Sequence, residues 1–183
     1  MSRTILVTGA TGYIAKHIVH QLLEQGDYVR GSVRSEKRAQ ELRATMQAKL
    51  SDPARIENLS TVLLDLTSDD GWADAMNGVA GVIHTASLFP LVQPKDDDEL
   101  IRPAVDGALR ALRAAQGAGV RRVVLTSSAV SVITGGSPSS GGAFTEADWS
   151  DATSPSATAY AKSKTLAERA AWDFVLESDG AVD

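Results

Sequence analysis

One short stretch, residues 8–15 (Thr-Gly-Ala-Thr-Gly-Tyr-Ile-Ala), limits what this chain can fold into more than any other part of the sequence. It follows the β-branched run 4–7, which predicts a strand, and it opens a run in which Ile14, Ile18 and Leu22 recur at helical spacing. A strand, a tight glycine turn and a helix bring free backbone N–H groups and the positive end of a helix dipole to one point, which favours a diphosphate. An ordinary strand-to-helix turn has a similar pattern, so the turn alone does not decide the function.

Three small residues set the shape of this turn. Gly9 allows the backbone to turn sharply, Gly12 removes a Cβ where a ligand must approach the main chain, and Ala15 stands where the helix packs on the strand. We therefore predict that a dinucleotide cofactor lies against the turn. The residues expected to contact it there are Gly9, Thr11, Gly12, Tyr13 and Ile14.

The composition narrows the classes of function. The chain has 183 residues, enough for one domain with a full core, and its net charge of −5 disfavours nucleic acid and anionic membranes as partners. Cysteine is absent, which excludes disulfides, thiolate zinc sites and cysteine nucleophiles. The histidines His17, His20 and His84 are scattered, so we interpret them as helix-surface or core residues and expect no metal site. The first predicted strand begins at residue 4 and no run is long enough to span a bilayer, so we expect a cytoplasmic protein.

Strand patterns and helix patterns alternate along the whole chain. Further strands are predicted over residues 28–33, 59–64, 79–84 and 120–126, and further helices over 35–50, 69–76, about 97–118 and about 158–176. Ser35 is the expected N-cap of the helix that runs to about residue 50, and Asp52-Pro53 is a break. The helix after the acidic run 96–99 carries Ile101, Val105, Leu109 and Leu112 on one face. This alternation predicts a doubly wound α/β fold with a parallel sheet in the order 3-2-1-4-5.

The predicted topology also places the ligand. In such a sheet the ligand lies at the carboxyl ends of the strands, where the strand order reverses between the first and fourth strands. The glycine turn is there, and so are Thr85, Ala86 and Ser87 after the fourth strand. Asp65 and Leu66, after the third strand, are placed to flank an adenine ring.

The end of the second strand indicates which dinucleotide is bound. A preference for NAD usually comes with an acidic residue there, which binds the ribose 2′-hydroxyl, but this strand is followed by Arg34. A guanidinium is a planar and permanently charged partner for a 2′-phosphate, and Lys37 or Arg38 would add a second positive charge. We therefore predict NADP(H) rather than NAD; a solvated basic helix start is the alternative interpretation.

A second group of residues suggests the chemistry. Tyr160 and Lys164 lie one helical turn apart, and a nearby lysine lowers the pKa of a tyrosine, which is near 10 on its own, toward the range useful for proton transfer. Thr126, Ser127 and Ser128 end the fifth predicted strand. These residues suggest hydride transfer to a ketone or aldehyde, with Tyr160 as proton donor, Lys164 tuning it and holding the nicotinamide ribose, and Ser128 orienting the carbonyl. By spacing alone, a tyrosine and a lysine in this arrangement are usually just an exposed pair.

The chain resembles the extended short-chain dehydrogenase/reductases. The matching motifs are Thr8-Gly9-x-x-Gly12-x-x-Ala15, Ser127-Ser128 and Tyr160-x-x-x-Lys164. Within that family it looks most like the dihydroflavonol reductase, cinnamoyl-CoA reductase and fungal ketone (methylglyoxal) reductase branch, through residues 31–35, 84–87, 123–128 and 170–174. The resemblance implies a Rossmann fold and NADPH-dependent reduction of a small-molecule carbonyl substrate. It assigns Ser128, Tyr160 and Lys164 as catalytic, with Thr126, Ser127, Tyr160 and Lys164 also against the cofactor.

Two departures from the family pattern matter. Asp106 stands where many relatives carry asparagine, which puts a proton relay through that position in doubt. The family continues beyond the Tyr160 helix with a sixth strand and a substrate lobe, so we expect residues 1–183 to be an incomplete NAD(P)-binding domain.

The helices at about 97–118 and 158–176 form a dimer bundle in many relatives, whereas reductases of this branch are often monomers. Monomer and homodimer therefore both stay open.

Two other functions are weighed against carbonyl reduction. An NAD-dependent sugar-nucleotide epimerase or dehydratase shares the tyrosine and lysine, but Arg34 argues against NAD. An NADP-binding sensor or scaffold without turnover has no need of Ser128, Tyr160 and Lys164 together. The substrate itself is not predicted, although residues 88–90 and 129–133 are expected to form part of its pocket.

Overall fold

The sheet has the predicted order. The computed structural model describes residues 2–88, 94–139 and 141–183. Its five strands are all parallel, in the order β3-β2-β1-β4-β5. In chain order the elements are β1 Thr4–Thr8, α1 Tyr13–Glu24, β2 Tyr28–Val33, α2 Glu36–Gln47, a 3₁₀ helix Pro53–Asn58, β3 Leu59–Leu63, α3 Trp72–Met76, β4 Gly81–His84, α4 Asp98–Gly117, β5 Val123–Leu125, α5 Val130–Ile133 and α6 Ala159–Glu177.

The strand register brings the functional loops to one edge. Thr8 pairs with His84 and His84 pairs with Leu125, so β1, β4 and β5 end at the same level. Val33 pairs with Leu63, which aligns the ends of β2 and β3 in the same way. The segments that follow these strands therefore meet along the carboxyl edge of the sheet, as expected for this topology.

The core forms two layers because the parallel sheet is covered on both faces. Alternate residues of β1 point to opposite sides: Val7 packs in a cluster with Val19 of α1 and Leu42 of α2. Leu6 packs on the other face with a cluster that includes Met76 of α3. Each of these five side chains is essentially inaccessible to solvent.

Two of the longer helices begin at residues that cap them. The Ser35 Oγ accepts a hydrogen bond from the Arg38 N–H at 3.4 Å at the start of α2, which confirms Ser35 as the N-cap. The Thr158 Oγ1 accepts one from the Ala161 N–H at 3.1 Å at the start of α6. These caps fix where each helix starts, because a side-chain oxygen satisfies a backbone N–H that has no partner within the helix.

Several element boundaries differ from the sequence predictions. The break at Asp52-Pro53 opens a 3₁₀ helix, because the Asp52 carboxylate accepts a hydrogen bond from the Ala54 N–H at 3.0 Å and proline suits the first turn. The short helix α5 was not predicted. β5 is only three residues long, and α3 starts at Trp72 rather than at residue 69.

The predicted apolar face of α4 is only partly the buried one. Of its four members Leu112 is buried, whereas Ile101, Val105 and Leu109 are half-buried. The fully buried side is made largely of small residues, Gly107, Ala108, Ala111 and Ala115 among them. Small residues allow α4 to lie close to its neighbours: a Cβ on Gly107 would come within 3.1 Å of the Leu66 side chain. Within residues 2–88, 94–139 and 141–183, none of the helices has the length and apolar character needed to cross a membrane.

Candidate dinucleotide and catalytic site

The glycine turn after β1 requires glycine at its first position for two reasons. Gly9 has a φ of 62°, in the left-handed region, and a Cβ there would lie 2.9 Å from the Cα of Ala86. The Gly9 N–H donates to the Ser32 Oγ at 3.0 Å, and the Gly12 N–H donates to the Gly9 carbonyl oxygen at 2.8 Å. The turn is therefore held tightly against both neighbouring strand ends.

A buried threonine fastens the ends of β1 and β4 together. The Thr8 Oγ1 accepts hydrogen bonds from the N–H groups of Thr85 and Ala86, each at 3.1 Å, and lies 2.9 Å from the His84 Nδ1. Burial lowers the pKa of His84 to about 4, with a smaller contribution from the charge of Lys164, so this ring is neutral at physiological pH. A neutral Nδ1 can accept the single hydroxyl hydrogen of Thr8. His84 is thus a core residue, one of the two interpretations that the sequence suggested.

The start of α1 faces outward from this turn. Gly12 is the N-cap, and within the described part of the chain no side chain caps the helix there. Tyr13 and Ile14 follow, with 82% and 58% of their surfaces exposed, and neither side chain lines the crevice described next. The first turn of α1 therefore has backbone N–H groups that no side chain caps, which is a feature that favours an anion.

A crevice of about 480 Å³ runs along the carboxyl edge of the sheet. This volume falls in the range of about 300–1,000 Å³ that is typical of small-molecule and cofactor sites. Nine of the residues predicted to contact the cofactor line it, namely Gly9, Thr11, Gly12, Arg34, Asp65, Leu66, Thr85, Ala86 and Ser87. Lys37 does not; it lies exposed in the first turn of α2.

The charged end of this crevice lies beyond β2 and β3. Arg34 is exposed directly after β2, and Asp65 follows β3. The hydrogen bond from the Thr67 hydroxyl, at 2.6 Å, is the main cause that lowers the pKa of Asp65, and the charges of Arg34 and Arg110 add to it. An ionised carboxylate and a guanidinium therefore lie near each other at the rim.

Two side chains that the sequence did not indicate hold the loop 65–69 in place. The Trp72 indole N–H donates to the carbonyl oxygens of Asp65, at 3.3 Å, and Ser68, at 3.1 Å, and Trp72 is 3% exposed. Arg110 of α4 donates to the Leu66 carbonyl oxygen and to the Asp69 carboxylate. No local sequence pattern indicates these contacts. Arg110 is far from the loop along the chain, and the contacts of Trp72 depend on the conformation of the loop.

A second, inner cavity of about 20 Å³ extends from the crevice toward β5 and α6. Leu66, Ala86 and Ser87 line both spaces, so the two are adjacent. On the far side the inner cavity is lined by Thr126, Ser127, Lys164 and Glu168, among others. The structure thus brings three of the predicted residues, Thr126, Ser127 and Lys164, to the inner end of the crevice.

The lysine is held between the helix and the strand end. The Lys164 Nζ donates to the Thr126 carbonyl oxygen at 3.4 Å. Burial lowers the pKa of Lys164, and the Glu168 carboxylate, one turn further along α6, opposes that shift. Tyr160 is half-buried in the first turn of α6, on the same helix face as Lys164.

The remaining predicted positions lie close to this cavity or outside the described residues. Ser128 lies two residues before the start of α5, and its Oγ accepts a hydrogen bond from the Val130 N–H at 3.4 Å. Asp106 is exposed; Ala104 and Ala108 line the inner cavity, so Asp106, two residues from each, points elsewhere on α4. Leu88 lines the crevice, whereas Phe89 and Pro90, predicted for the substrate pocket, lie outside the described residues. Across the described ranges, no three histidine, aspartate or glutamate side chains are grouped to hold a metal ion.

Comparison with known proteins shows which family the chain belongs to. The model of the NAD dependent epimerase/dehydratase family matches residues 5–180. The chain belongs to this family. Its relatives include aldehyde reductase 2 of Sporidiobolus salmonicolor, 38% identical over 187 residues, which cover 95% of this chain and 53% of that protein. Dihydroflavonol 4-reductase of Arabidopsis thaliana is 36% identical over 180 residues, covering 95% of this chain and 46% of that protein.

Solved structures give the same result. The yeast methylglyoxal/isovaleraldehyde reductase, crystallised with NADPH, superposes with a TM-score of 0.81 at 32% identity, over 98% of this chain and 54% of that one. The resemblance to the dihydroflavonol reductase and methylglyoxal reductase branch is therefore confirmed. The chain spans about half the length of the curated relatives it matches.

Proposed function

We propose that residues 1–183 form the cofactor-binding domain of an NADPH-dependent oxidoreductase that reduces a ketone or aldehyde to an alcohol. The observation that carries the proposal is the continuous path from Arg34, past the glycine turn, to Thr126 and Lys164 at the inner cavity. The path crosses the point where the strand order reverses, which is where doubly wound folds bind dinucleotides. Because the chain spans about half of its relatives, the reduction is proposed for the whole protein that contains this region.

The residues along the path fit a dinucleotide. A Cβ on Gly9 would lie 2.9 Å from the Cα of Ala86, so glycine allows the turn to pack against the segment after β4, and both residues line the crevice. The first turn of α1 supplies N–H groups and the positive end of its dipole there. Arg34 suits the 2′-phosphate that distinguishes NADP(H) from NAD, with Lys37 as a second nearby cation.

The chemistry assigned to the chain is proton transfer and orientation of the substrate. NADPH, when bound, supplies the hydride that adds to the carbonyl carbon. The Tyr160 hydroxyl gives its proton to the carbonyl oxygen, which completes the alcohol, and the positive charge of Lys164 favours that loss of the proton. The Ser128 Oγ donates a hydrogen bond to the same carbonyl oxygen and so fixes its direction. The aldehyde reductase and methylglyoxal reductase among the relatives support this choice of reaction.

The test is turnover by the whole protein that contains this region. With NADPH and a panel of aldehydes and ketones, we expect Tyr160→Phe to lower the rate at least about 100-fold, because general acid catalysis contributes about 10²–10⁴-fold. NADPH affinity should stay close to that of the unmodified protein, because the ring is retained. The control is Tyr28→Phe, which removes an exposed hydroxyl at the start of β2, on the opposite edge of the sheet.

Two results would contradict the proposal. Substantial turnover by the Tyr160→Phe protein would mean that another group supplies the proton. Tight NADPH binding without reduction of any carbonyl, in the unmodified protein, would instead favour a sensor or scaffold.

A further inference from the structure

Glu168 contacts the catalytic end of the site without belonging to the predicted set of residues. It lies on α6 one turn after Lys164, and its carboxylate accepts a hydrogen bond from the Ser127 hydroxyl. The Ser127 Oγ also lies 3.3 Å from the Oγ of Ser131, which is fully buried. Glu168, Ser127 and Lys164 line the same small cavity.

One turn of α6 is thus joined twice to the end of β5. Lys164 donates to the Thr126 carbonyl oxygen, and Glu168 accepts from Ser127, the next residue. Ser128 follows directly, so the segment that carries it is held by both ends of the Lys164-to-Glu168 turn. Rotation of this segment would break one contact or the other.

The same carboxylate acts on the charge of Lys164. Burial favours the neutral amine, and Glu168 favours the ammonium. On the other sides of the same cavity, His84 of β4 is neutral and α4 contributes Ala104 and Ala108. Among the described residues that line this cavity, Glu168 is the one carboxylate.

We propose that Glu168 is a positioning residue of this site, whose charge acts on Lys164 one helical turn away and whose hydrogen bond with Ser127 fixes the segment that carries Ser128. The proposal deepens the proposed reductase function and rests on it. Glu168 itself touches neither substrate nor reacting atoms in this scheme; it acts through Lys164 and Ser127. A purely structural hydrogen bond would not require its charge.

The charge and the hydrogen bond can be separated by substitution. Glu168→Gln keeps an oxygen that can accept from Ser127 but removes the negative charge. Ser127→Ala removes the hydroxyl but keeps the charge, so it is the matched control. The primary readout is the NADPH dissociation constant as a function of pH, measured on the whole protein that contains this region, because Lys164 is proposed to hold the ribose.

The expected result is a shift of the alkaline limb. Removal of an anion lowers the pKa of a nearby lysine, so Glu168→Gln should lose NADPH affinity at a lower pH than the unmodified protein. An opposite charge close by changes a pKa by about 1–3 units, and the partial exposure of Lys164 puts the expected shift near one unit. Ser127→Ala should keep the unmodified pH limb while its kcat falls, because only the position of Ser128 is disturbed.

An unchanged pH limb in Glu168→Gln, with NADPH still bound, would overturn the inference. If Glu168→Gln does not fold, Glu168→Asp replaces it. The shorter carboxylate of aspartate is displaced from Lys164, so we expect a smaller shift of the pH limb in the same direction. No shift in this variant would again overturn the inference. Failure of the unmodified protein to bind NADPH at any pH would instead overturn the proposed function.

Discussion

We predict that the preference for NADPH over NADH depends on Arg34, and the substitution Arg34→Ala tests this dependence. Arg34 lies at the rim of the 480 Å³ crevice and is exposed. A hydrogen bond to a charged group contributes about 1.5–3 kcal/mol, and water at the rim together with the nearby Asp65 carboxylate lowers the contribution expected here to about 1.5–2 kcal/mol. Since a factor of ten corresponds to about 1.4 kcal/mol, NADPH affinity should fall about 10–30-fold.

NADH affinity should stay nearly unchanged in the same variant. The pKa of Asp65 is held down mainly by the Thr67 hydrogen bonds rather than by Arg34, so the carboxylate remains ionised when the guanidinium is removed. Titration of both proteins with NADPH and NADH, followed by fluorescence of the reduced nicotinamide or by calorimetry, measures the two affinities.

The matched control is Arg102→Ala, which removes one positive charge from an exposed ion pair on α4, away from the crevice. It should leave both affinities as they are. Equal affinities for NADPH and NADH in the unmodified protein, or an equal loss of both in Arg34→Ala, would refute the role assigned to Arg34.

Two further predictions concern residues that support the site. Trp72→Phe removes the indole N–H that binds the loop 65–69. In the same titrations, the affinities for NADPH and NADH should therefore fall together, by about 1–2 kcal/mol. A loss confined to NADPH would contradict this role of Trp72. His84 has a folded-state pKa of about 4, below its ordinary value of 6.5, so the unfolded chain binds more protons between these values and stability should fall as pH drops from about 6.5 to about 4. Denaturant unfolding across that range should detect a loss of up to about 3 kcal/mol. His84→Asn should flatten this slope, whereas an unchanged slope would assign it to other groups; Asp148, with a pKa of about 2, titrates below the range.

The sequence predicted the fold well because its signals are local. Residues 28–33 carry two valines, Val29 and Val33, between a turn and a capped helix, and the structure has a strand over Tyr28–Val33. The strand order followed from the alternation of elements, since right-handed crossovers leave few arrangements. The apolar pattern of α4 does not show which of its residues are buried most deeply, because close packing buries Gly107 and Ala108 and leaves Ile101 half-buried.

The candidate site could be predicted from the sequence only where a motif concentrates it in a few neighbouring residues. The glycine turn and the Tyr160–Lys164 pair are of this kind, and the structure brings Lys164 to the inner end of the crevice that the turn lines. The roles of Ser128, Tyr160 and Lys164 in catalysis stay predictions. Trp72 and Arg110 bind the loop 65–69 largely through its carbonyl oxygens. Every residue has such an oxygen, so the sequence gives no indication of these contacts.

Glu168 lies between these two cases. Its spacing was visible in the sequence, because Tyr160, Lys164 and Glu168 recur every four residues and so share one helix face. Its partner was not, because Ser127 is 41 residues away along the chain. A polar residue one turn beyond a predicted catalytic pair therefore indicates which face of the helix contacts the rest of the protein. Only the register of that face against the end of β5 identifies the group to which it binds, and that register depends on how α6 packs across α4 and the sheet.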